Sequence, residues 1–219
     1  MRLQAMGTSG YANGFQLTIL SDRLDTPLKR KKPTLYFVNS MSDLFHEDIP
    51  FSFIDLVMAT IEQAHWHRFQ ILTKRAERMA AYFQCRRVPT NAWLGVSVED
   101  QKYGLPRIEH LRHINATVRF LSIEPLLEDL GQIDLRNLHW VIVGGESGAN
   151  ARPIQLPWIE SIQRQCERSE IVFFFKQWGR WGVDGKARSK KANGRLLHGR
   201  TFDDIPTLAI ASQVRDIKF

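Results

Sequence analysis

Lys74, Glu99, Glu124 and Glu146 each stand just past the end of a short apolar run, as do Ser40 and Asp43, Thr73, Ser97, Ser122, Gly144 and Gly145, and Lys176 and Gln177. Carboxylates and amines gathered at one place can exchange protons with a substrate or hold a metal ion, so Glu99, Glu124 and Lys74 are the candidate catalytic groups. Ser40, Asp43, Ser97, Gly144, Gly145 and Glu146 are the candidate ligand-binding groups, because hydroxyls, a carboxylate and a glycine-rich turn suit a polar ligand brought close to backbone. Plainer roles compete at each position. Asp43 could cap a turn, Glu124 before Pro125 could end a strand, and Lys74-Arg75 could open a solvated helix. His46, Glu62, His65 and His67 do not form a ligand triad on one helix face, so no metal site is expected.

The apolar runs themselves are Leu35–Val38, Phe69–Leu72, Trp93–Val96, Arg119–Leu121, Trp140–Val143 and Ile171–Phe175. They are nearly continuous in apolar character, which is the pattern of strands covered on both faces in a parallel sheet. Residues 54–64 and 157–166 carry apolar side chains at three- and four-residue spacing, as amphipathic helices do. Strands alternating with helices predict an α/β fold, a parallel (β/α) partial barrel of TIM type over residues 1–182, followed by a basic segment at 183–219. Loops at the carboxyl ends of such strands converge over the core, which would bring the polar residues above into one ring.

With 219 residues, 43% of them apolar and 24% charged, the chain can bury one substantial core. It contains no run of about 18 apolar residues and no apolar stretch after Met1, so a cytoplasmic protein without a membrane span is expected. Cys85 and Cys166 have no partner at ligand spacing and are expected to be reduced packing residues. The net charge of +7 is local: Lys186, Arg188, Lys190, Lys191, Arg195 and Arg200 fall within one acid-free stretch, leaving the rest of the chain close to neutral. That stretch is either a solvated tail or a segment that contacts nucleic acid.

The motifs FVNSMSDLFHEDIP, FQILTKRAERM, WLGVSVEDQ, FLSIEPLLEDL, WVIVGGESGANARP and FFFKQWG, in this order, together resemble a phage- and prophage-associated family of unknown function whose members carry a three-cysteine motif. That family looks like a divergent branch of the radical S-adenosylmethionine (SAM) superfamily. Ser42-Asp43, Thr73-Lys74 and Ser97-x-Glu99 are similar to the strand-end signatures of spore photoproduct lyase-like members. The resemblance implies a radical-SAM type of partial barrel in which three cysteines hold a [4Fe–4S] cluster and leave one iron open for SAM. It also implies SAM contacts from Ser40, Asp43, Lys74, Ser97 and Glu99, with Gly144 and Gly145 near the adenosine and Glu146 on a hydroxyl or the substrate, and a phage-encoded partner protein.

The three cysteines are missing from this sequence, so the chain is expected to lack the first βα unit of the family and to be an incomplete form. Three readings stand at this point. The chain is a radical-SAM-like enzyme without its cluster motif, a cluster-free α/β hydrolase or lyase using Glu99, Glu124, Glu146 and Lys74, or a non-enzymatic phage accessory protein that contacts nucleic acid through residues 186–200.

Overall fold

The computed structural model describes residues 17–39 and 42–207. Six strands, β1 Leu35–Val38, β2 Arg68–Thr73, β3 Ala92–Ser97, β4 Val118–Ile123, β5 Trp140–Gly144 and β6 Val172–Gln177, pair in sequence order in one sheet. All five pairings are parallel. The sheet curls into a half-barrel, with β1 and β6 at its edges. The expected α/β partial barrel is therefore the observed fold, and each apolar run is a strand within a residue or two of its expected bounds.

Helices α1 Thr26–Lys29, α2 Phe51–Gln63, α3 Ala76–Phe83, α4 Pro106–Arg112, α5 Leu156–Arg168 and α6 Lys190–Asn193 complete the fold. α2 and α5 cover the two stretches expected to be helical. α2 buries Ile54, Met58 and Ile61, and α5 buries Ile159, Ile162 and Cys166, so each turns one stripe to the sheet at helical spacing. The expected alternation fails once. No helix joins β4 to β5; an irregular segment takes its place and buries Leu126, Leu130, Ile133, Leu135 and Leu138. These leucines and isoleucines cover the outer face of the sheet as a helix would, and the backbone is held by specific bonds such as Ile133 N–H to the Gln165 side-chain oxygen at 2.8 Å.

Alternation along the strands divides the core in two. Phe69, Ile71, Leu94, Val96, Leu121, Ile123, Val141, Val143, Phe173 and Phe175 point outward under the helices. Full burial of such side chains contributes roughly 1.5–3 kcal/mol each, which makes this layer the main stabiliser of the curl. The opposite set lines the hollow side: Trp93, Val118, Phe120, Trp140 and Phe174 pack together, with Leu35, Leu72, Ile142 and Val172 against them. Gly95 is required there, since any Cβ at that position would run into the Phe120 ring.

The chain beyond β6 returns to the barrel. Phe175 N–H donates to the Phe202 carbonyl at 3.1 Å, Phe174 bridges Asp203 in antiparallel fashion, and Leu197 is buried. Trp178 and Trp181 pack the same region, donating their indole N–H groups to the carbonyls of Leu196 at 2.8 Å and Ala151 at 2.6 Å. Among the described residues no helix is long and apolar enough to cross a membrane.

Candidate functional site

The hollow side of the half-barrel encloses a concavity of about 1690 Å³ whose lining changes character with depth. Deep in it are Leu72, Phe120, Trp140, Ile142 and Phe174. The Trp93 and Phe174 rings meet Trp140 edge to face, with centroids 6.1 and 5.9 Å away, so aromatic edges and faces make the floor. Ser97 and Ser122, level in register with Ile142 and Phe174, and Gln70, level with Trp93 one step below Phe120 and Trp140, also line it while almost wholly buried. Ser97 and Ser122 are register partners on β3 and β4 and share this face. Two nitrogen donors here have no hydrogen-bond partner among the described residues, Nε2 of Gln70 and Nε1 of Trp140. Leaving such groups unpaired is costly, which marks the floor as a place a ligand or water completes.

The rim carries Asn39, Ser42, Asp43, Lys74, Arg75, Glu124 and Lys176. Its charges pair with one another. Asp43 accepts from the Thr73 hydroxyl at 2.7 Å, from Lys74 N–H at 3.1 Å and from Arg75 Nη1 at 3.2 Å, and also holds its own turn through Phe45 N–H at 2.9 Å. It ties the loop after β1 to the end of β2, so the turn-residue role is real, and the carboxylate still faces the hollow.

Glu99 is buried behind the rim. Arg107 of α4 donates to its Oε2 at 2.8 Å and to the Ser97 carbonyl at 2.7 Å, while the Lys74 ammonium closes on Oε1. Burial alone would raise the Glu99 carboxyl, but the Lys74 and Arg107 cations outweigh it and hold it below the usual carboxylate range. Glu99 is thus an anion at neutral pH, and its geometry makes it the anchor of Lys74.

Glu124 reaches across to β6, accepting from Lys176 Nζ and from the Gln177 side-chain amide, both at 2.8 Å. Gly144 lies directly beneath: a Cβ there would sit 3.2 Å from Glu124 Oε1. Gly145 is packed against the Trp178 carbonyl with no room for a side chain. The glycine pair therefore serves close approach within the protein, to a carboxylate on one side and a neighbouring backbone on the other. Glu146 turns away from the hollow. Arg152 clamps it with two side-chain bonds of 2.9 Å and its own backbone N–H at 2.8 Å, and this guanidinium holds the Glu146 carboxyl down to about 2.

Of the residues singled out in the sequence, Asp43, Lys74, Ser97 and Glu124 come together around the hollow, Glu99 and Gly144 lie one layer behind, and Gly145 and Glu146 belong to the β5–β6 junction. Ser40 lies outside the described residues. Lys176 was visible as a strand-end residue but not weighed as a functional one; its ion pair with Glu124, 52 residues earlier, needed the fold. Arg107, Gln70 and Trp140 gave no signal, being placed by helix orientation and strand alternation alone.

The donor set does not fit an iron–sulfur cluster. The chain's two cysteines cannot provide three thiolates, and neither lines the hollow. Cys166 is buried in α5, where burial pushes its thiol up to about 12. Cys85 is exposed after α3, which corrects the expectation that both pack in the core. The rim presents cations and carboxylates that pair with one another, and the Phe120, Trp140 and Phe174 rings below it are almost wholly buried.

Neither a curated protein nor a solved structure gives a significant match to the chain. A family described as "Protein of unknown function (DUF5131)" matches residues 1–206. Spanning nearly the whole chain, that match makes this protein a member of the DUF5131 family.

Proposed function

We propose that the protein is a SAM-binding half-barrel of radical-SAM type from a phage- and prophage-associated family, whose own contribution is the cradle for SAM and not the cluster. The observation that carries the reading is the gradient within the hollow, from the aromatic Phe120, Trp140 and Phe174 to the ionic Lys74, Asp43, Glu124 and Lys176. A molecule with an aromatic base at one end and a zwitterion at the other matches both ends at once. In this reading Lys176 and Lys74 face the carboxylate, Asp43 and Glu124 face the ammonium, and the hydroxyls of Ser97 and Ser122 lie between. SAM, when bound, supplies an activated sulfonium carbon. The chain's residues orient it and keep bulk water from the floor.

Isothermal titration of the 219-residue chain with SAM, methionine and adenosine tests the proposal. Saturable SAM binding tighter than either fragment is expected, and Lys176→Ala should weaken it about tenfold, the equivalent of one charge-assisted hydrogen bond of about 1.5 kcal/mol. No heat with SAM at millimolar concentration would remove the reading.

The Glu124–Lys176 pair favours one alternative, a cluster-free lyase or hydrolase in which that pair moves protons. Turnover that Glu124→Gln abolishes in the absence of SAM would select it.

A further inference from the structure

Immediately past Lys176 the chain builds a small basic unit at the same end of the barrel. Trp181 and Ala187 bridge antiparallel, Gly182 N–H donates to the Lys186 carbonyl at 3.0 Å, and Arg188 N–H donates to the Arg180 carbonyl at 2.9 Å, closing a hairpin. Ser189 caps α6 by accepting from Ala192 N–H at 3.2 Å. The Asn193 side-chain amide locks α6 to the hairpin through the carbonyls of Gly179 at 3.1 Å and Arg180 at 2.8 Å. With the Trp178 and Trp181 indoles anchoring it to the barrel, the unit is a folded surface whose backbone holds its place.

Two of its cations are already neutralised. Arg188 binds Asp184 at 2.8 Å, and Arg195 pairs with Asp203. Arg180, Lys186, Lys190 and Lys191 are exposed, and none has an ion-pair partner among the described residues. These cations, of which Lys186 also acts on Asp184, raise the local positive potential. Four peptide links separate Arg180 from Lys176, so their Cα atoms lie within about 15 Å. The basic unit therefore starts within about 15 Å of a rim residue.

We propose that Arg180, Lys186, Lys190 and Lys191 form a docking surface for the phosphate backbone of a nucleic-acid strand. Clustered cations at the end of the barrel where the hollow opens suit a polymer of phosphates and flat bases, since phosphates give affinity and the hollow can receive an unpaired base. An anionic membrane would use the cations but has no use for the hollow, and α6, four residues long, offers no apolar face to a bilayer. The phosphate contacts lie outside the hollow, so their test needs no SAM.

Fluorescence polarisation of the full chain with short labelled single-stranded DNA and RNA, between about 50 and 200 mM salt, tests it. Binding should fall steeply with salt. The Lys186→Ala/Lys190→Ala/Lys191→Ala variant should flatten the log–log slope by roughly two, at about 0.7 per lost phosphate contact. A double variant at the opposite end of the barrel, Arg87→Ala/Arg136→Ala, should keep the slope. Absence of binding at the lowest salt, an unchanged slope in the triple variant, or equal loss in the control would overturn the proposal. So would capture by phosphatidylglycerol vesicles, lost in the triple variant, without oligonucleotide binding.

Discussion

Glu99 shows how a residue's position decides its chemistry. It stands between Lys74 and Arg107 and is nearly closed to solvent, so replacing it with glutamine leaves two cations facing a neutral acceptor. Glu99→Gln should destabilise the fold by about 1–3 kcal/mol in urea titrations and free the Lys74 side chain. The sign of the pH effect follows from its lowered pKa. A carboxyl whose folded pKa lies below its unfolded one contributes stability above the unfolded value and loses it as pH falls through the folded one. Wild type should therefore lose more stability than Glu99→Gln on acidification below about pH 4.5, the ordinary value of a glutamate carboxyl. Glu146 follows the same rule, its contribution fading from about 4.5 down to about 2, and an Arg152→Ala variant should remove that acid sensitivity. Strand-end positions were legible in the sequence for Asp43, Lys74, Ser97 and Glu124. What each faces was not, because partners such as Arg107 and Lys176 arrive from elements that sequence spacing cannot orient.

At the scale of elements, the strands were legible because burial on both faces leaves a continuous apolar signature, and α2 and α5 because one stripe meets the sheet. The link between β4 and β5 was not. Its apolar residues are placed one at a time by loop hydrogen bonds, which leave no period to read. Close packing between neighbouring elements rests on glycine at several points, Gly95 and Gly145 among them. Gly95→Ala would press on the buried Phe120 ring and should cost about 1–3 kcal/mol by overpacking. Gly145→Ala would press on the Trp178 carbonyl, which cannot swing aside as a side chain does, so its loss of thermal stability should be the larger. Equal midpoints for the two variants in a calorimetric scan would contradict that ranking.

At the scale of the molecule, six parallel strands make an arc with a hollow side and two ends, and the ends are treated differently. The β6 end is covered by residues 201–203, which bond to Phe174 and Phe175. Among the described residues β1 pairs with β2 alone, and Phe37 near its middle is 45% exposed. Directly before it stand Arg30, Lys31 and Lys32, all exposed. A strand with one free side invites a second molecule to continue the sheet, and clustered positive charge beside it makes two such molecules repel. Such a triplet would oppose association through that edge, so Lys31→Glu/Lys32→Glu should increase apparent mass with concentration in sedimentation experiments, as should high salt with the wild type.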